Sequence, residues 1–304
     1  MTILVTGISG YVGSVLARRL QREGETVRGF SRRPDRVDVD VPVVAGDALS
    51  GEGLTEALDG VDVAYFLIHG MEPAPDGPLA SRERAAAERF AAAAAAAGVS
   101  RIVYLGGMVP AGGPRSPHLA SRLAVEDILL DAVPGSVALR ASIVIGARSR
   151  SFRFMVRLVE RLPVLPYPAW RTNRTAPVDE RDIVEVLARA AASDQVSGRR
   201  LDVAGPDVVS YGELIERIAD LMLVDRAGLR FNRLSVTPLA SRVAALVAGE
   251  QWELIGPLME SLDSDLLPTE PEAGPLLDVR LHSLNAAIEH ALAEWERHEV
   301  LAAR

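Results

Sequence analysis

The chain has 304 residues, enough for one large α/β domain or for a core domain with a smaller appendage; at 48% hydrophobic and 24% charged it can bury a full core. That composition excludes disordered, collagen-like and disulfide-scaffold classes, and a net charge of −8 argues against a nucleic-acid or anionic-membrane partner. The chain has no cysteine and all 33 of its Lys+Arg are arginine, so thiolate chemistry and every mechanism needing a lysine amine are excluded.

The N-terminal half alternates between apolar strands and helical stretches. Strands are expected at Ile3–Thr6, Thr26–Phe30, Pro42–Ala45, Val61–Ile68, Arg101–Gly106 and Ser136–Ala141. Helices are expected between them at Gly13–Glu23, Leu54–Leu58, Ala80–Gly98 and Pro117–Ala132. This spacing argues for βαβ units and a parallel sheet. Alanine richness marks Ala80–Gly98 as a helix of high propensity with no functional meaning attached. Its apolar run, Phe90–Val99, is far too short for a membrane span.

Past residue 150 the pattern changes. Ser151–Leu162 and Asp179–Ala192 read as helices, Pro163–Pro168 as a proline-rich turn, and Arg200–Ala204 as a short strand. Ser210 is a good N-cap for a helix over Tyr211–Leu223. The remainder reads as mostly helical, ending in an amphipathic helix over Leu284–Val300. The expected architecture is an α/β doubly wound parallel Rossmann sheet with a smaller, mostly helical, discontinuous substrate part. Residues 1–150 and 177–205 form the core in this reading, and 151–176 and 206–304 the substrate-facing part.

The strongest motif is Thr6-Gly7-Ile8-Ser9-Gly10-Tyr11-Val12-Gly13, which follows the first strand and opens the first helix. Gly7 permits a tight turn, Gly10 lets the backbone approach a pyrophosphate, and Gly13 allows close helix–strand packing. The helix N-terminus supplies N–H groups and partial positive charge for a phosphate. Beyond the second strand comes Ser31-Arg32-Arg33, with no acid until Asp35. An acid at the strand end grips ribose hydroxyls, whereas arginine accommodates a 2′-phosphate, so NADP(H) is expected over NAD(H).

The glycine spacing resembles that of the extended and atypical short-chain dehydrogenases/reductases, including the NmrA-like group. Gly46-Asp47-Ala48 resembles the adenine-contacting element of that family, and Val103-Tyr104-Leu105 before Gly106-Gly107 its strand leading to the active-site serine. Leu139-Arg140 with Gly146, Val178-Asp179 with Asp182, and Gly205-Pro206 before Ser210-Tyr211 match the extended type. The resemblance implies a Rossmann fold, a nicotinamide cofactor and hydride chemistry, and it spans most of residues 1–223.

At the catalytic step the chain departs from that pattern. The family pairs a tyrosine with a lysine four residues on; here there is no lysine, and glycine stands where the serine would be. Twelve residues past Gly106 lies His118, with Arg122 four later, so His118-Leu119-Ala120-Ser121-Arg122 resembles the tyrosine–lysine segment with both groups replaced. Histidine is a competent acid near neutral pH, and an i, i+4 arginine shares its helix face and can hold ribose or substrate. The alternative reading of His118 is a surface residue at a helix start. Neither Tyr11 nor Tyr104 is expected to be the catalytic acid, since neither has a lysine to lower a pKa near 10.

Ile68, His69 and Gly70 close the fourth strand, where ligands of doubly wound sheets bind, and are expected beside the cofactor along with Gly106. Met108, Tyr167 and Trp170 are candidate substrate contacts, near the Phe152, Phe154 and Met155 cluster and the proline-containing segment Met71–Pro78. His282, His290 and His298 show no metal-ligand spacing and are expected to be solvated; no metal is expected. The reading is an NADP(H)-dependent oxidoreductase acting on a small organic substrate. A non-catalytic NADP-sensing regulator and a redox-neutral isomerase, dehydratase or cyclase stay open. A small-molecule substrate is the expected partner, without nucleic acid or membrane, and a homodimer stays open. The chain runs from Thr2 straight into its first strand, which makes a cytoplasmic protein the default expectation.

Overall fold

The computed structural model describes residues 1–68, 79–114, 116–167, 169–230, 262–299 and 301. Its frame is β1 (Thr2–Thr6), α1 (Tyr11–Arg22), β2 (Thr26–Ser31), β3 (Val43–Ala45), α2 (Leu54–Leu58), β4 (Val63–Phe66), α3 (Leu79–Ala96), β5 (Arg101–Gly107), α4 (Pro117–Ala132) and β6 (Val137–Ala141). After β7 (Val144–Ile145) come α5 (Arg150–Arg161), β8 (Val164–Tyr167), β9 (Arg174–Thr175), β10 (Val178–Asp179), α6 (Glu180–Ala190) and β11 (Arg200–Val203). The chain continues through β12 (Val209–Ser210), α7 (Tyr211–Leu221), β13 (Ala227–Arg230), α8 (Ala273–Leu276) and α9 (Leu284–Glu296).

Seven parallel strands form one sheet in the order β11-β6-β5-β4-β1-β2-β3. Such a sheet must be covered on both faces, and the two-residue period of each strand sorts its side chains between two cores. Ile3, Val5, Val63, Tyr65, Val103 and Leu105 face a core shared with Leu16 and Leu20 of α1 and Ile183 and Leu187 of α6. Leu4, Ala64, Phe66, Ile102 and Tyr104 face the opposite core, built with Leu54 of α2, Phe90 of α3 and Leu129 of α4. The alanines of α3 serve this packing: Ala86, Ala87, Ala91 and Ala94 are buried there. A third core joins Phe152 and Val156 of α5, Leu214 and Ile218 of α7, and Ile288 and Trp295 of α9. Among the described residues, no helix is long and apolar enough to cross a membrane.

Three expectations change. Pro163–Pro168 contributes a strand rather than only a turn: β8 pairs in parallel with β13, from Val164 opposite Ala227 to Tyr167 opposite Arg230. A two-stranded ribbon tolerates Pro166 because an edge position leaves its missing N–H without consequence; Pro168 lies outside the described residues. The terminal helix stops at Glu296, short of Val300. The division drawn at residue 206 is crossed, since Ala273 and Leu277 pack into the sheet's own core. Residues 231–261 of the mostly helical remainder lie outside the described residues.

What pins that returning segment is polar. Asp202, fully buried in β11, accepts the backbone N–H of Thr269 at 2.6 Å and of Glu270 at 2.9 Å. Beside it, Glu126 of α4 takes a bidentate pair from Arg140 of β6 at 2.9 and 2.7 Å, and a third bond from Arg200 Nε at 2.8 Å. Buried guanidinium and carboxylate each cost several kcal/mol to desolvate, so neither is tolerable without the other. Glu126→Gln is expected to destabilise the chain by about 3–5 kcal/mol in urea unfolding, while Glu88→Gln, at the exposed Arg84 pair, changes it by about 0.5 kcal/mol or less.

Candidate active site

The glycine-rich turn is set by backbone contacts that leave no room for Cβ atoms. Gly7 has φ +65, and a Cβ there would lie 2.6 Å from the Leu67 carbonyl oxygen at the end of β4. Gly13 is pressed directly against the Gly7 carbonyl, which brings α1 onto the sheet. Gly10 N–H donates to the Gly7 carbonyl at 2.8 Å and closes the turn. Gly10 is the N-cap of α1 without a capping side chain, and no acidic residue occupies the first turn. Ser9 and Gly10 are exposed at the tip, with Tyr11 and Val12 half-buried behind them. The first N–H groups of α1 thus remain for an anion, and these residues fit a pyrophosphate.

At the end of β2 the Ser31 hydroxyl is buried and accepts the Arg33 N–H at 3.1 Å; Arg32 and Arg33 are exposed. Gly46 donates to the Ser31 carbonyl at 3.1 Å and lets the Phe30 ring approach to 2.6 Å of where a Cβ would stand. Asp47 Oδ1 accepts the Leu49 N–H at 2.8 Å, and Ala48 is a core residue beside Leu54. Ile68 is half-buried against the same core. His69, Gly70 and the rest of 69–78 lie outside the described residues.

The β5–α4 junction carries the next set. Gly106 and Gly107 end β5, and Met108 is buried with Ala176, Ala204 and Leu266. Ser116 caps α4 by accepting the Leu119 N–H at 3.2 Å, and Pro117 occupies the first helical turn. His118 is therefore in that turn, half-buried, with Nδ1 shielded from solvent and without a hydrogen-bond partner among the described residues. Desolvation and then the Arg122 charge pull its pKa below the ordinary histidine value, against a smaller opposing pull from Glu83.

Arg122, expected to hold ribose or substrate, has a buried guanidinium that donates to the Leu105 carbonyl at 3.1 Å and lies 5.8 Å from the Tyr104 ring centroid. One turn further along α4 the shared helix face has passed beneath β5, so Arg122 braces the strand and acts on His118 through its charge. Tyr104 is buried, its hydroxyl donates to the Arg122 carbonyl at 3.3 Å, and burial pushes its pKa up to about 12. The sequence reading missed Glu83, which accepts the Ser121 hydroxyl at 2.5 Å from the alanine-rich helix. Nothing in the repetitive composition of α3 distinguishes that glutamate.

A second polar group lies under the glycine turn. A Cβ on Gly146 would collide with both the Tyr11 hydroxyl and Glu180 Oε2, two buried atoms without hydrogen-bond partners among the described residues. Glu180 Oε1 is 3.7 Å from His290 Nε2, which is 3.6 Å from Glu294 Oε2. Two of the tail histidines are therefore not simply solvated, since His282 Nδ1 also meets Asp182 Oδ1 at 2.6 Å, while His298 is exposed. The i, i+4 spacing of His290 and Glu294 was visible in sequence; the partners on α6, 100 residues or more away, were not. Of the substrate candidates, Tyr167 and Trp170 both belong to the third core with Phe152, Phe154 and Met155, apart from the cluster holding Met108.

Burial, and then the charge of Glu294, raise Glu180 to about 7, with Arg181 opposing. A carboxyl raised in the folded state is favoured protonated, so its cost is absent at pH 4, grows as pH rises and is complete above pH 7. Glu180→Gln is expected to raise stability at pH 8 by roughly 1–3 kcal/mol and to leave it unchanged at pH 4, read from thermal melts across that range.

Comparison with known proteins agrees with this geometry. The family model for NAD(P)H-binding proteins matches residues 7–142. A (4-alkanoyl-5-oxo-2,5-dihydrofuran-3-yl)methyl phosphate reductase of Streptomyces griseus subsp. griseus is 33% identical over 252 residues, covering 80% of each chain. A ceramide reductase of Caulobacter vibrioides is 25% identical over 224 residues, covering 72% of this chain and 70% of that one. A solved short-chain dehydrogenase/reductase superfamily protein of Agrobacterium tumefaciens with bound NAD superposes with a TM-score of 0.72 at 20% identity, over 98% of each chain. The chain belongs to the atypical short-chain dehydrogenase/reductase family and is an NAD(P)-binding oxidoreductase.

Proposed function

We propose that the chain is an NADPH-dependent reductase of a carbonyl or conjugated carbonyl compound, with His118 as the proton donor. The observation that carries this reading is the His118 imidazole in the first turn of α4, the helix that follows the strand ending in Gly106-Gly107, with its Nδ1 unpartnered among the described residues. A reduced nicotinamide, when bound, supplies hydride to the substrate carbon. The protein's task is then to hold the dinucleotide, orient the carbonyl and deliver one proton to the atom that gains charge.

The N–H groups at the start of α1, with Gly7, Ser9, Gly10, Tyr11, Val12 and Gly13 shaping the turn, would hold the pyrophosphate. Gly46, Asp47 and the Ala48 backbone would border the adenine, and Ile68 and Gly106 the nicotinamide side. His118 donates from its protonated form, which burial first and then the Arg122 charge disfavour. A group with a lowered proton affinity is a stronger acid once charged, which suits donation to a developing alkoxide or enolate. The Streptomyces relative is named for an alkanoyl furanone phosphate and the Caulobacter relative for ceramide; both names support a carbonyl-bearing substrate with alkyl character here.

Preference for the phosphorylated cofactor rests on Ser31-Arg32-Arg33, where no acid stands after β2 before Asp35 and both guanidinium groups belong to exposed residues. Calorimetric titration is expected to give NADPH at least about tenfold tighter binding than NADH, and the Arg32→Ala, Arg33→Ala double variant should erase that gap. Equal affinities in the parent chain would remove the assignment.

For the proton step, NADPH oxidation followed at 340 nm with α,β-unsaturated and simple ketones gives the readout. His118→Phe should lower kcat by about 10²–10⁴-fold while NADPH affinity stays constant, and Tyr104→Phe should keep most turnover. Because the His118 pKa is lowered, kcat of the parent should fall as pH rises through a midpoint below the ordinary 6.5, and this limb should vanish in His118→Phe. Full activity in His118→Phe would end the proton-donor assignment.

A further inference from the structure

We propose that Glu180, His290 and Glu294 bind one divalent transition-metal ion, represented by zinc, where α9 meets the start of α6 beneath the glycine turn. The site is independent of the reductase reading above. His290 Nε2 lies 3.7 Å from Glu180 Oε1 and 3.6 Å from Glu294 Oε2, and all three donor atoms fall within 4.8 Å of one another. In a tetrahedral zinc site with bonds of about 2.0–2.1 Å, donors stand about 3.3 Å apart. Rotation of the two glutamate side chains is enough to close the cluster on an ion.

The register of two short strands brings the donors together. β10 pairs in parallel with β7, Asp179 opposite Ile145, so the next residues, Glu180 and Gly146, run side by side. Gly146 leaves room there: any Cβ would collide with Glu180 Oε2 and with the Tyr11 hydroxyl. Helix α9 packs across β7 and β10, and its i, i+4 spacing presents His290 and Glu294 to Glu180 on one face. The expectation of no metal rested on spacing along the chain, which does not show the donor from α6.

The electrostatics call for a cation. No guanidinium pairs with Glu180 or Glu294 among the described residues, in a chain with 33 arginines. Arg181, next to Glu180, is held by both oxygens of Asp179. An imidazolium brings one positive charge to two carboxylates, whereas a divalent ion balances both and takes the imidazole as a neutral ligand. A second observation lies behind the cluster. Glu180 Oε2 and the Tyr11 hydroxyl are buried atoms with no hydrogen-bond partner among the described residues. With Oε1 on an ion, a small rotation lets Tyr11 donate to Oε2, as groups around a metal orient its ligands. The nitrogen donor favours zinc and its first-row neighbours over magnesium and calcium, which take oxygen ligands. His290 and Glu294 are 33% and 38% exposed, which gives an ion a way in and a water a place as fourth ligand.

Calorimetric titration of the full-length, EDTA-stripped protein with ZnCl2 tests the site without reference to turnover. One zinc per chain is expected, together with a raised melting temperature, and magnesium should bind far more weakly. Glu180→Gln, which should fold at least as well as the parent, and His290→Ala should each lose both effects. Tyr11→Phe should weaken zinc binding about tenfold. His282→Ala, at the separate Asp182 pair, should leave it unchanged. Co2+ in place of zinc should give visible d–d absorption that disappears in His290→Ala. Melts identify a variant that has lost its fold, and the other then decides. Zinc binding that persists in the folded variants places the ion on other histidines and overturns the proposal, as does equal affinity for magnesium. Absence of zinc binding also overturns it and leaves His290 as a cation shared between two carboxylates.

Discussion

The structure depends on the close approach of three backbone segments at Gly7 and Gly13. The carbonyl of Leu67 presses on Gly7 from the end of β4, and the carbonyl of Gly7 presses on Gly13 from below α1. With a Cβ at either place the helix would lift from the sheet, and the turn between them would open. The order β4-β1-β2 at the sheet's centre, the burial of Leu16 and Leu20, and the bare N–H groups at the tip of α1 all follow from that seating. A structural packing requirement and a ligand-binding surface are here the same contact.

A chain without lysine builds its internal supports from guanidinium groups. Arg101 reaches from the first residue of β5 to the carbonyls of Gly135, Ala190, Ala191 and Ser193, and so satisfies the carboxyl end of α6. Arg140 joins β6 to α4 through Glu126, and Arg122 joins α4 to β5 through the Leu105 carbonyl. Five planar donors can serve several carbonyls at once, whereas an ammonium offers three around one point. The same substitution alters the chemistry near β5. A guanidinium one turn beyond His118 cannot act as the family lysine does, but its charge still weakens the hold of the imidazole on its proton.

The C-terminal part is tied to the sheet by polar contacts as well as by the apolar packing of Ala273 and Leu277, and to itself by a separate apolar core. Asp202 and Arg140, which pairs with Glu270 at 3.5 Å, hold the segment at 269–272 against the sheet edge, while α5, α7 and α9 share a core of their own. Between these two parts lie Gly146, Glu180 and Tyr11, so the glycine turn abuts the C-terminal part through a buried carboxyl rather than through apolar packing alone.

Local sequence determined the elements and the cofactor turn. The short apolar runs of β1, β4 and β5, the Ser116-Pro117 and Ser210 helix starts, and the Gly7–Gly13 spacing are short-range patterns, and each is written within a dozen residues. His118 was singled out by counting from Gly106 the serine-to-tyrosine distance of the family that the chain resembles. Tertiary structure alone decided the rest. The i, i+4 rule puts Arg122 on the His118 face, but only the packing of α4 under β5 turned its guanidinium inward. Glu83 and Ser121, Glu180 and His290, and Trp170 and Tyr211 come from separate elements, and no spacing rule along the chain relates them. Their chemistry arises from desolvation and from the charges they face, and both are properties of the packed molecule rather than of any segment in it.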